Sequence, residues 1–346
     1  MMVGKYSKVK ELLDSMADRV NELSEMKTDH SPDKTRRFTE DIRRLNQEYY
    51  HINPWFTDRY IKKSLEAIVG GLRLGLNPEL ICRTYSKNRT IAFIINPGAP
   101  FEGIGEIIFA VLCGFRCLIK LPADCKSMVE NLFAYLEVPF SGLSNNVEFF
   151  TDRLPSFDGI VGVNAFEGSG AVGYIDKWPN LLIYHKGCTV TMAGEESEIQ
   201  LRKAAQGICD FYGRSFFSIK SLLVPAGYDF TALFQALEEH NDNSINHRYF
   251  NHYEYHKSLM LINGIHHFDN GFILLTSDQG QTGKTGVVTY SEYFPESKSE
   301  VIKPYPVFDP ILHSDSDNQH VIFRQPLPEE ILFYNSAKLA AFLSGL

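Results

Sequence analysis

The spacing of apolar residues divides the chain into helical and extended stretches. Between residues 8 and 26, Val9, Leu12, Leu13, Met16, Val20 and Leu23 recur at helical spacing. That pattern predicts an amphipathic helix. The charged segment Lys27 to Arg37 interrupts it, with Ser31-Pro32 as a break. A second helical pattern runs from Thr39 to Tyr50. A third follows Asn53-Pro54-Trp55-Phe56-Thr57, with Thr57 as N-cap, Asp58 to Ile68 as its body and Gly70-Gly71 as its end. From Arg89 the pattern changes. Thr90 to Ile95 is a nearly continuous apolar run, which suits a strand buried on both faces, as in a parallel sheet.

Strand and helix then alternate. Asn96 to Pro100 reads as a loop, Gly105 to Cys113 as a buried helix and Arg116 to Lys120 as a strand. Asp124 to Leu136 is helical again, and Phe157 to Val163 is a third strand. This alternation predicts a doubly wound, mainly parallel α/β domain. Asn180 to Met192 supplies one or two further strands. Glu196 to Tyr212 reads as a helix with Glu195 and Glu196 at its start, where carboxylates suit the helix dipole. Ser218 to Pro225 is a strand, Tyr228 to His240 a helix, and Gly271 to Thr276 and Gly286 to Tyr290 short strands. Ser336 to Leu346 forms a last helix. No internal repeat or low-complexity tract is present.

Length and charge narrow the function classes. A chain of 346 residues is long enough for two domains. A formal net charge of -8 argues against a broad phosphate-binding face for DNA or RNA. It leaves room for a local basic pocket that holds an anionic cofactor. The six cysteines are scattered through a large apolar chain, so no disulfide framework is expected. Cys113 and Cys117, four residues apart within the apolar run Ile107 to Leu121, read as buried thiols. The charged start of the chain leads into an amphipathic helix and not a signal peptide. No apolar run reaches the ~18 residues of a membrane span. A soluble, cytoplasmic protein is the expectation.

Two local motifs invite chemistry. Gly280-Gln281-Thr282-Gly283-Lys284-Thr285 suggests a phosphate-binding loop, but Asp278 stands where that pattern needs its first glycine. A hairpin turn is expected instead. His252 and His256 would share one face of a helix. A zinc site would need further ligands, which His266, His267 and Asp269 offer on sequence alone. No metal site is expected. With Tyr249, Phe250, Tyr253 and Tyr255 alongside, the segment reads as a polar, aromatic-rich surface.

Several ordered blocks resemble a known family. Ile94 to Pro100, followed by Gly114 to Lys120 and then Leu121-Pro122, resembles the first cofactor-domain block of aldehyde dehydrogenases. Phe157-Asp158-Gly159-Ile160-Val161 resembles the strand before that family's cofactor turn. Gly213 to Ser218 with Leu222-Leu223-Val224-Pro225 resembles its nucleophile block. Ile245-Asn246-His247 to Tyr253-Glu254-Tyr255 is similar to a block of LuxC-like acyl-CoA reductases, and the likeness runs from residue 50 to 346. It implies an aldehyde dehydrogenase-like α/β fold with a doubly wound domain plus a second α/β domain. The expected boundaries are a helical lead-in over 1–56, a Rossmann-like cofactor domain over 57–186, a catalytic-type domain over 187–315 and a C-terminal segment over 316–346.

The resemblance also implies a reaction. A cysteine thiolate attacks a fatty acyl-CoA, the coenzyme leaves, and the thioester accepts hydride from NADPH or NADH to give an aldehyde. At the nucleophile's place this chain has Phe216, which has no nucleophilic atom. Gly98 stands where the oxyanion-hole asparagine would be, and one such donor is worth about 3 kcal/mol in the transition state. Cofactor-side positions carried over from the family are Pro100, Lys120, Val163, Asn164 and Ala165, with Gly168-Ser169-Gly170 just beyond. Asn180 to Gly194 contains no Glu to serve as base. Cys209, seven residues before Phe216, reads as a buried structural thiol, as does Cys188. No cysteine lies between 210 and 346. The expectation is an acyl-CoA reductase homologue of impaired catalysis, homo- or hetero-oligomeric. The alternatives are an active oxidoreductase with a substituted nucleophile such as Cys209, or a non-catalytic scaffold subunit of a reductase complex.

Overall fold

The computed structural model describes residues 2–24, 53–86, 89–137, 143–164, 172–175, 177–183, 187–215, 218–294 and 328–346. The helix expected over Thr39 to Tyr50 lies outside them. The chain divides into two compact units, Met1–Tyr184 with Leu327–Leu346, and His185–Pro326.

In the first unit, helix α1 (Met2–Ser24) buries Leu13, Met16, Ala17, Val20 and Leu23 and packs against α2 (Asp58–Gly70). Thr57 holds the N-cap position of α2 without a side-chain hydrogen bond. The α-helix ends at Gly70-Gly71, as the sequence predicts, but not by a left-handed stop. Gly71 keeps right-handed angles, φ -59° and ψ -44°, where a glycine stop needs the left-handed region. The chain therefore runs on through a π turn, Gly71–Gly75. Helix α3 (Pro78–Thr84) follows, and the Asn77 side chain accepts from the N–H groups of Glu79 and Leu80.

The sheet of this unit is built from β1 (Thr90–Ile95), β2 (Arg116–Lys120), β3 (Val147–Phe150), β4 (Gly159–Val163) and β5 (Asn180–Ile183). Helices α4 (Ile104–Leu112) and α5 (Ala123–Leu136) lie between the first three strands in sequence. All pairings are parallel, in the order β3-β2-β1-β4-β5. The chain works outward from β1 to β3, then returns to β1's other side for β4 and β5. The reversal falls between β1 and β4. Ala92 and Ile94 of β1 pack with Leu118, Leu154, Phe157 and Ile160 on one side of the sheet.

The C-terminal helix, Pro328–Ser344, belongs to this unit and packs on α2, the π turn, α3 and α4. Its Asn335 donates to Glu106 Oε1 of α4 at 2.8 Å, and both side chains are buried. Burial pushes the Glu106 carboxyl above the usual carboxylate range, opposed by that hydrogen bond.

In the second unit, β6 (Cys188–Thr191), α6 (Glu198–Cys209), β7 (Ile219–Pro225), α7 (Thr231–Leu237) and α8 (His247–Ile262) precede β8 (Phe268–Asp269), β9 (Leu274–Thr276) and β10 (Val287–Tyr293). The strand order is β6-β7-β10-β9-β8, parallel except for β8. Three expectations need correcting. Glu195 and Glu196 precede α6, whose N-cap is Ser197 in a capping box with Gln200. Glu196 instead accepts from the N–H groups of Ala193 and Gly194 and from the Tyr228 hydroxyl. The helix expected from Tyr228 begins only at Thr231, after Asp229 has taken the Thr231 N–H and hydroxyl. Gly280 to Thr285 is not a hairpin turn, because β9 and β10 run parallel. It is a short crossover around a 3-10 turn, Gln279–Gln281, capped by Asp278.

Helix α8 places the rings of His252 and His256 6.2 Å apart. Burial and nearby cations lower the pKa of both, chiefly Arg214 for His252 and Lys284 for His256. Among the described residues no group of three or more His, Cys, Asp or Glu side chains could hold a metal ion. No described helix is long and apolar enough to cross a membrane. The helix is tied to β8 instead. The Tyr253 hydroxyl donates to Asp269 Oδ1 at 2.5 Å, and Lys257 Nζ lies 2.7 Å from Asp269 Oδ2. Burial and the Asp269 carboxylate push the Tyr253 hydroxyl up to about 12.

Candidate functional site

The carboxyl edge of the first unit's sheet gathers most of the expected cofactor positions. Beyond β1, the Asn96 N–H donates to the Val163 carbonyl at 3.0 Å, which carries the β1–β4 ladder one step further. The chain then turns through Pro97, Gly98, Ala99 and Pro100, the last two buried. It folds back tightly over the strand it has just left. Phe101 is left-handed at φ 60° and Gly103 at φ 87°. A Cβ on Gly103 would stand 2.9 Å from Ile95 Cδ1, so this close approach requires glycine.

That fold-back brings in a residue that the sequence reading passed over. Glu102 Oε2 accepts from the Gly98 N–H at 2.7 Å and from Asn164 Nδ2 at 3.4 Å. Asn164 follows β4 directly, is itself left-handed at φ 49°, and donates its N–H to the Ile183 carbonyl at 3.0 Å. The Glu102 carboxylate therefore spans the ends of β1 and β4, where the winding of the sheet reverses. One strand away, Lys120 ends β2 in register with Ile94 and Phe150. It is half-buried, and among the described residues its ammonium has no hydrogen-bond or ion-pair partner.

Of the residues named from sequence, Gly98, Lys120 and Asn164 thus meet at one edge. Pro100 and Val163 reach it by backbone only, since both side chains are buried. Ala165 and Phe216 lie outside the described residues, as does Gly168-Ser169-Gly170. Glu102 left one signal in the sequence, an acidic residue inside the otherwise apolar stretch Pro100 to Ile108 that also holds Glu106.

In the second unit, α6 gives way to a 3-10 turn, Asp210–Gly213, with Phe211, Tyr212 and Gly213 successively left-handed at φ 53°, 57° and 66°. Buried Lys220 donates to the Gly213 carbonyl and holds this turn against β7. In neither unit are the buried thiols primed for attack. Cys209 is 1% exposed. Burial raises the Cys188 thiol to about 12 and moves Cys113 and Cys117 further up still.

No family model and no curated protein matches the chain. Solved structures do. PnpE in complex with nicotinamide adenine dinucleotide is similar over 86% of this chain and 70% of that one, with a TM-score of 0.59 at 10% identity. A betaine aldehyde dehydrogenase from Staphylococcus aureus, a double mutant in complex with NAD+, covers the same shares with a TM-score of 0.54 at 11% identity. The fold is that of the aldehyde dehydrogenases. A bifunctional proline utilization A protein is similar too, with a TM-score of 0.56 at 11% identity over 86% of this chain. This chain spans 35% of that protein's length. In the aldehyde dehydrogenase fold as built here, the parallel edge carries Gly98, Glu102, Lys120 and Asn164 within one unit.

Proposed function

We propose that this protein is a LuxC-like acyl-CoA reductase homologue that binds a nicotinamide dinucleotide, NADPH or NADH, and has lost the acyl-thioester step. The observation that carries the binding half is Lys120. A half-buried ammonium with no partner among the described residues, at the carboxyl edge of a doubly wound sheet, calls for an anionic ligand. The residues fit the group: Lys120 would meet a phosphate or ribose oxygen, and Gly98 puts no side chain into the loop beside it. When bound, the dinucleotide supplies a hydride.

The loss of catalysis follows from what the chain offers the acyl group. Phe216 replaces the nucleophile, and Gly98 removes a side-chain amide donor. Cys209, the nearest thiol in sequence, is sealed in the protein at 1% exposure. A long-chain acyl-CoA could still be bound, as in a subunit that pairs with an active reductase.

The test is a titration of the purified protein with NADH, NADPH and a long-chain acyl-CoA, followed at 340 nm once both ligands are present. Saturable dinucleotide binding with no consumption is the expected result. Consumption that disappears in Cys209→Ser would overturn the proposal in favour of a substituted nucleophile. The absence of any dinucleotide binding would overturn it altogether.

A further inference from the structure

We infer that Lys284 and His256 form an anion site at the amino edge of the second unit's sheet, one that takes the phosphate groups of a phosphorylated ligand. The choice of coenzyme A as that ligand rests on the proposed acyl-CoA binding; the anion site does not. The fold brings the two residues together from separate elements. Strands β7 and β10 are parallel neighbours with Ser221 opposite Thr289, so the segments that lead into them meet at one edge. The segment before β7 carries Arg214, and the crossover before β10 carries Lys284. Helix α8 touches both. Its Tyr249 ring lies 5.6 Å from that of Tyr212 in the first segment. A Cβ on Gly286 in the second would stand 3.3 Å from Tyr253 Cβ. His252 and His256 each follow one of these tyrosines by three residues and share that side of the helix, with their rings 6.2 Å apart.

The two groups are donors without an anion. The half-buried Lys284 ammonium donates to the neutral Gln281 Oε1 and is in no ion pair among the described residues. Gln281 Nε2 in turn donates to Asp278 Oδ2 at 2.9 Å, which fixes the amide and sets that carboxylate on its far side. Neither ring nitrogen of His256 has a hydrogen-bond partner among the described residues, and Nδ1 is sealed from solvent. A proton on Nδ1 would be left unsatisfied, so it belongs on Nε2, which becomes an N–H donor. Burial and the neighbouring Lys284 hold His256 below the usual imidazole range, so the ring is neutral at pH 7. Arg214 and Arg248 have further contacts of their own and add only surrounding positive charge, which reaches His252. A cation and an N–H donor in such a field suit a multiply charged phosphate. The run Gly280 to Thr285 thus lends its lysine to anion binding without a phosphate loop's helix, because a strand follows it.

The experiment is calorimetric titration of the whole protein with coenzyme A, with pantetheine and with inorganic pyrophosphate, alongside thermal melts. The proteins are wild type, Lys284→Gln, Lys284→Arg, His256→Gln and, as a control for loose charge effects, Lys203→Gln at an exposed position of α6. Coenzyme A and pyrophosphate are expected to bind roughly tenfold more weakly in Lys284→Gln and roughly threefold more weakly in His256→Gln. Lys284→Arg keeps the charge and should stay within about twofold of wild type, as should Lys203→Gln. Pantetheine lacks the phosphates and should not distinguish the five proteins. Wild type that binds neither anion overturns the inference. So do Lys284→Gln and His256→Gln proteins that bind both anions as wild type does, or a loss in Lys203→Gln as large as in Lys284→Gln. If pyrophosphate depends on Lys284 and His256 while coenzyme A does not bind at all, the anion site stands and the acyl-CoA part of the proposed function falls, so the two failures are distinguishable.

Discussion

At the scale of single residues, charge placement carries most of the meaning. Lys120 has its ammonium committed to no described group, so Lys120→Met should leave the fold unchanged and weaken NADH and NADPH binding roughly tenfold by calorimetry. A stronger loss for NADPH would place the lysine by the extra phosphate. The thiols make a second prediction. Five of the six cysteines are buried and Cys82 is half-buried. An aromatic disulfide reagent at pH 8 should therefore label Cys82 promptly and the other five only after denaturation. Fast labelling of Cys209 would revive the substituted nucleophile. The family resemblance marked Gly98, Lys120 and Asn164, each of which lies at or just beyond a strand end. Glu102 escaped, because its role depends on two left-handed residues that fold the loop back, and no propensity signals Phe101 at φ 60°.

At the scale of elements, two buried contacts can be measured. Glu106 holds α4 to the C-terminal helix through Asn335, at the expense of a carboxyl whose pKa burial raises from 4.5. A raised folded value means that this group's stabilisation is complete below 4.5 and is lost as pH rises through the folded value. Glu106→Gln keeps the acceptor for Asn335 and removes the charge. It should match wild type in urea melts at pH 4 and exceed it by about 1–3 kcal/mol at pH 7. In the other unit, Tyr253→Phe deletes the hydroxyl that joins α8 to Asp269 and should cost about 1.5 kcal/mol. The elements themselves were largely legible. Continuous apolar runs such as Thr90–Ile95 and Gly159–Val163 can be satisfied only by strands covered on both faces. Local cues mislead where long-range pairing decides the structure. Gly280 to Thr285 has turn residues that suit a hairpin, yet the strands beside it run parallel. Val147–Phe150, a short edge strand of four residues, carried too little pattern to be seen.

At the scale of the whole molecule, the first unit is built from two separate stretches of the sequence. Residues 328–346 complete the first unit, not the second. Gly159, at the start of β4, has Leu346 and Phe342 as its nearest neighbours, within 3.0–3.2 Å of where a Cβ would stand. A ribosome making this protein releases the five-stranded sheet long before the helix that seals it. At about 5–20 residues per second, the interval spent on the second unit is on the order of ten seconds. For that time the surfaces of α2, α3 and α4 that the last helix covers, with the carboxyl of Glu106 among them, face water or a chaperone. The first unit is thus the first begun and the last finished, and production of the protein should depend on chaperone supply more than its final stability would suggest.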